Sequence, residues 1–87
     1  MRKFDREEFT RDLRSVLSRM ADVPEGGISL DDDLREDIGL DSLQSMELLS
    51  RISERWEVDV EMEDMIDVKT VGNVVDFMSR LATEQGA

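Results

Sequence analysis

Eighty-seven residues allow one domain with a single modest core, and not the walls of a large enzyme cleft. Charged residues make up 38%, and 22 Asp and Glu against 11 Lys and Arg leave a formal charge of −11, which argues against binding nucleic acid or an anionic membrane. With no Cys and no His the chain lacks thiolate chemistry, the usual base for an activated nucleophile and the commonest transition-metal ligand, so it is expected to be no enzyme on its own.

The first element opens on Asp5-Arg6-Glu7-Glu8, which has the form of a capping box. Behind it Phe9, Leu13, Val16, Leu17 and Met20 recur at helical spacing. Val23-Pro24-Glu25-Gly26-Gly27 is expected to end that helix. Residues 21–40 then form a long connection whose spaced Ile28, Leu30, Leu34, Ile38 and Leu40 suggest that it packs down. Asp41 is the next N-cap, and residues 42–56 read as a second helix with Leu48, Leu49, Ile52 and Trp56 on one arc. Leu43, Glu47, Ser50 and Glu54 fall on the opposite arc. Met62–Asp67 has room for one or two helical turns. Thr70 caps a last helix in which Val71, Val74, Val75, Met78 and Leu81 share a face, and Thr83–Ala87 is expected to fray. The pattern predicts an all-α, four-helix bundle: three main helices, a short third helix and a long loop after the first, forming one domain over residues 1–87 with its core at about 4–82.

The charge is uneven. Residues 1–20 carry +2, residues 21–67 carry −13, and residues 68–87 balance. Within the acidic segment stands Gly39-Leu40-Asp41-Ser42-Leu43-Gln44-Ser45-Met46-Glu47-Leu48. It sets a serine in the first turn of a helix, directly after an Asp N-cap, beside unpaired N–H groups at the positive end of a helix dipole. That place suits a phosphate ester on Ser42. It does not suit Ser42 as a catalytic nucleophile, because the chain has no His to take its proton. Read alone, Ser42 is better taken as an alternative capping residue, as serines at helix starts usually are.

Gly-Leu-Asp-Ser-Leu followed by Glu47-Leu48 resembles the attachment motif of the acyl carrier protein family, and the order of elements through Lys69–Met78 resembles that family as well, over essentially residues 4–82. The resemblance implies a discrete carrier, with 4′-phosphopantetheine from coenzyme A esterified to Ser42 and acyl chains held on its thiol as thioesters. It implies that Asp41 is the acid preceding the modified serine, and that Leu43, Met46, Glu47 and Glu54 meet partner enzymes. It implies a cargo pocket at Met46, Met62, Met65 and Ile66, between the second helix and the short third one. The implied partners are a phosphopantetheinyl transferase and an acyltransferase, ketosynthase or other acyl-processing enzyme. Gln44 and Ser53 stand where such carriers usually have acids, Ser50 where an exposed Met is common, and Arg51 and Arg55 add positive charge. These departures fit a polyketide or other specialised pathway as readily as fatty acid synthesis.

A peptidyl or aminoacyl carrier, D-alanyl carriers included, is the alternative within the same fold, although Leu40-Asp41 before Ser42 looks less like the usual peptidyl motif. Calcium binding by Asp31-Asp32-Asp33, Asp37 and Asp41 fails for an EF-hand, since Glu36 or Ser42 occupies the position that needs Gly. No metal is expected. No apolar run approaches the roughly 20 residues of a membrane span and no signal peptide opens the chain, so a cytoplasmic monomer is expected, with no nucleic acid and no membrane among its partners.

Overall fold

Asp5 starts the first helix: its carboxylate accepts hydrogen bonds from the N–H groups of Glu7 and Glu8 at 3.0 and 3.2 Å. Helix α1 runs Arg6–Ala21 in this computed structural model, which describes residues 4–85 without the side chains of Met62 and Met65. Its stripe of Phe9, Leu13, Val16 and Leu17 is buried. The stop comes before the Pro24 and glycine signals. Asp22 turns left-handed (φ 56°, ψ 48°), and the Val23 N–H donates to Ser18 O at 3.2 Å, so a terminal carbonyl is satisfied two residues ahead of Pro24. Helix α2, Ser42–Trp56, stops in the same way at Glu57, with the Val58 N–H on Ser53 O at 3.1 Å. In both, the serine hydroxyl also donates to the valine carbonyl.

Between α2 and α3 the short element is a 3₁₀ helix, Met62–Asp67, its six residues making two tight turns. Helix α3, Val71–Glu84, begins at a reciprocal cap of Thr70 and Asn73. It continues through Thr83 and Glu84, two residues into the segment that the sequence assigns to a tail. Gln85 then bonds both backbone polar groups of Asp59 at 2.9 Å, while Gly86 and Ala87 lie outside the described residues.

The core takes Leu48, Leu49, Ile52 and Trp56 from α2 and Val71, Val74, Val75 and Met78 from α3. Phe77 and Ala82 are buried too, because α3 is enclosed over a wider face than its main stripe. From the connection, Ile28, Leu34, Ile38 and Leu40 are buried, whereas Leu30 is 39% exposed. Leu30 contributes its backbone instead. Its carbonyl accepts from the Gly72 N–H at 2.7 Å, Asp32 O accepts from Val71 at 3.0 Å, and the Leu34 N–H donates to Lys69 O at 2.9 Å. The connection is thus fastened along the start of α3, with Asp33 and Thr70 paired as an isolated antiparallel bridge.

Gly72 is the residue that permits this approach: a Cβ there would stand 3.0 Å from the Leu30 carbonyl oxygen, which is backbone and moves only with the whole connection. Gly72→Ala is expected to destabilise the protein by about 1 kcal/mol net in chemical denaturation, overpacking of about 1–3 kcal/mol outweighing the roughly 1 kcal/mol that alanine returns to a helix.

Candidate functional site

The site is built from the end of the connection and the first turn of α2. Asp33 folds residues 33–38 into a tight turn: its Oδ1 accepts from the N–H groups of Arg35 and Glu36 at 2.8 and 2.9 Å, while its own N–H donates to Asp37 Oδ2 at 2.7 Å. The Leu40 N–H on Leu34 O at 2.8 Å closes the turn. Gly39 then takes φ +92° in open space, so its backbone conformation and not its size calls for glycine. That reversal lets Leu40 bury while Asp41 stays outside as the N-cap of α2. Asp41 Oδ1 accepts from the Gln44 N–H at 2.7 Å, and Gln44 Oε1 accepts from the Asp41 N–H at 3.2 Å. Gln44, a departure from the expected acid, therefore completes a capping box.

Ser42 is the first residue of α2 and exposed. Its Oγ accepts a hydrogen bond from Arg35 Nη2 at 2.9 Å. A guanidinium does not take up a proton at ordinary pH, so this partner holds the hydroxyl without activating it. Beside Ser42 opens a groove of about 570 Å³, whose lining includes polar Arg35, Glu36 and Lys69 and apolar Met46, Ile66 and Val68. Of the pocket candidates, Met46 (37% exposed) and Ile66 (77% exposed) meet in this groove, and the side chains of Met62 and Met65 lie outside the described residues. Arg35 was not singled out by the sequence, because its contact crosses seven positions of irregular loop.

Of the docking candidates, Leu43 is 73% exposed, and Glu47 and Glu54 are exposed on the same side of α2. Glu47 Oε1 accepts from Arg51 Nη2 at 2.6 Å. Arg55 does not dilute this stripe as the sequence suggests, since it reaches over to Asp12 of α1 at 2.8 Å. Glu54 lines a separate groove with Val16, Arg19, Arg51 and Arg55, so the acid nearest the attachment end of α2 is Glu47.

Three acids of the Asp31–Asp37 run, Asp32, Asp33 and Asp37, bond backbone N–H groups of the loop. Asp32 Oδ2 accepts from the Ser29 N–H at 2.9 Å, and Asp33 and Asp37 accept as described. Among the described residues no three acids converge as a metal site, and no helix is long and apolar enough to cross a membrane. The N–H groups of Glu36 and Arg35 hold the Asp33 carboxyl below the usual carboxylate range; a little desolvation opposes them, and the Lys69 and Arg35 charges assist. A lowered folded-state pKa contributes stability above the unfolded value of about 3.9, and that stability is lost as pH falls through the folded value. Asp33→Asn is therefore expected to melt below wild type at neutral pH, the gap closing as both are titrated below about pH 3.9. Parallel melting curves across that range would remove this role.

An exposed hydroxyl on a helix start, a cation touching it and an adjoining apolar groove suit a phosphate ester whose far end carries something oily. A family model described as the phosphopantetheine attachment site matches residues 11–78. The chain is similar to the acyl carrier protein of Saccharopolyspora erythraea, 36% identical over 87 residues that cover 95% of this chain and 92% of that one. It is also similar to that of Exiguobacterium sibiricum, 29% identical over 73 residues, covering 84% and 92% respectively. In fold it resembles the solved acyl carrier protein of Enterococcus faecalis, with a TM-score of 0.78 over 90% of this chain and 99% of that one at 22% identity.

Proposed function

We propose, from the premise that this chain belongs to the acyl carrier protein family, that Ser42 is the residue bearing its 4′-phosphopantetheine and that the groove beside Ser42 receives the cargo. When bound, the phosphopantetheine supplies the thiol on which acyl intermediates are held as thioesters. A phosphopantetheinyl transferase and acyl-processing enzymes are its working partners. The chain's own residues supply an address and a surface, and the chemistry belongs to those partners. The observation that carries the reading is Ser42 itself: an exposed hydroxyl at the first position of α2, inside the matched region, with a guanidinium 2.9 Å away. These residues fit a phosphodiester, since the exposed hydroxyl can reach the phosphorus of coenzyme A in a transferase that takes its proton, and both the cation and the helix start favour the added negative charge.

Incubation with coenzyme A and a broad-specificity transferase should add one phosphopantetheinyl group, found by mass spectrometry on the peptide containing Ser42. Attachment to any other peptide would overturn the assignment. The charge of −11 supports action as a monomer, because like charge disfavours self-association.

Met46, Ile66 and Val68 support an aliphatic cargo, and a methionine on the groove wall adapts its shape more readily than a branched side chain. Acyl-loaded protein is expected to melt above the free-thiol form, by about 4–8 °C for each kcal/mol of cargo binding. Melting that does not change as the chain lengthens would place the cargo in solvent.

A further inference from the structure

Arg35 is the sole basic residue between positions 21 and 50, within the −13 segment. Surrounded by acids, it pairs with none among the described residues, whereas Arg6, Arg51 and Arg55 all hold carboxylates. Its guanidinium is instead on Ser42 Oγ at 2.9 Å. The placement is set from the backbone: Asp33 Oδ1 fixes the Arg35 N–H at 2.8 Å, and the neighbouring Leu34 is tied to Lys69 at 2.9 Å and to Leu40 at 2.8 Å. The root of the side chain is thus rigid although its tip is exposed.

Resting on Ser42 as the attachment residue, we infer that Arg35 is a positioning residue that clamps the phosphodiester of the prosthetic arm and directs the arm into the groove. Esterification turns Oγ into a bridging oxygen, a weaker acceptor, and sets two non-bridging phosphoryl oxygens, which share one negative charge, two bonds beyond it. A guanidinium already within 2.9 Å of Oγ meets them by a small side-chain rotation, and it carries five donors in a fork that matches phosphate oxygens two at a time. The clamp fixes the near end of the arm at the groove that Met46 and Ile66 also line, so the chain leaves Ser42 along the groove and not across the exposed arc of α2. A lysine there would keep the charge and lose the fork. Lys69 lines the same groove without a hydrogen bond to Ser42, and it provides a control for charge alone.

The test uses the intact protein before and after loading with phosphopantetheine, with mass spectrometry confirming one group on Ser42. The Arg35 side-chain N–H resonance should shift on loading. The ³¹P resonance of the loaded protein should broaden relative to free phosphopantetheine, and it should narrow and move in Arg35→Ala. Arg35→Lys should recover part of the change, and Lys69→Gln little of it. At about 1 M salt, where screening reaches about 3 Å, wild type should approach Arg35→Ala. Loading on Ser42 with no change in the Arg35 signal, or equal ³¹P effects from Arg35→Ala and Lys69→Gln, would overturn the clamp and leave the attachment reading standing. Failure to load on Ser42 would overturn both.

Discussion

Ser42→Ala is expected to fold as wild type does and to take up no phosphopantetheine under conditions in which wild type gains one group. The expectation rests on a division of labour at the start of α2. Asp41, not Ser42, accepts the Gln44 N–H, and Gln44 returns the bond to Asp41, so the helix keeps its cap without the serine hydroxyl. Ser42 is exposed, and among the described residues its hydroxyl bonds only the tip of Arg35, itself exposed. Deleting it should change stability by no more than about 0.5 kcal/mol. The informative rival is Ser45, which lines the same groove three residues on. It sits inside the helix, away from the free N–H groups of the first turn, so it should not substitute. Any mass gain in the Ser42→Ala protein would remove Ser42 from the reaction.

Charge reversal on α2 has the second large effect. Glu47→Lys is expected to slow capture by a partner with a basic surface by about tenfold at low salt, with the difference vanishing near 1 M salt. Glu47 is the exposed acid one turn beyond Ser42 and Leu43, and reversing it also sets two cations side by side, because Arg51 now neutralises it at 2.6 Å. Arg51→Ala should act in the opposite direction, speeding encounter by freeing the Glu47 charge. Leu43, 73% exposed, would act through contact area and not through charge. Leu43→Ala should weaken docking by about 1–2 kcal/mol with the salt dependence unchanged. Stopped-flow association across a salt series separates the two. Equal rates for wild type and Glu47→Lys in low salt with every partner would exclude α2 as the electrostatic docking face.

How far the sequence could be read depended on whether a residue's role is periodic. The bounds of α2, its buried arc and the exposure of Leu43 and Ser42 were all legible, because a 3.6-residue repeat behind an aspartate cap leaves one solution. The pairing of Glu47 with Arg51 was also available from its i, i+4 spacing. Arg35 was not, since its reach to Ser42 follows from the Asp33 turn and the Gly39 reversal, neither of which has a period. The end of α1 near residue 21 was legible, but the device that makes it was hidden for a related reason: a left-handed aspartate leaves a fainter mark than proline or glycine. Phe77 fell outside the predicted stripe because α3 is enclosed over a wider face than that stripe. The need for Gly72 appears only when the Leu30 carbonyl is seen against it.

Trp56 closes α2 at the end away from Ser42, about 21 Å along the helix. It is 3% exposed, lies edge-on to Phe4 and Phe9 with ring centres 5.5 Å from each, and donates its indole N–H to Asp12 at 2.9 Å. It is also the chain's single tryptophan. Its emission is therefore a built-in optical gauge of whether α1 and α2 are together, blue-shifted in the native protein and red-shifted once water reaches the ring. Being remote from the groove, the same signal should stay silent when the arm is attached, loaded or docked. Every substitution at positions 35, 42, 43, 47 and 51 can thus be checked for intact folding in the same cuvette, without a dye or label.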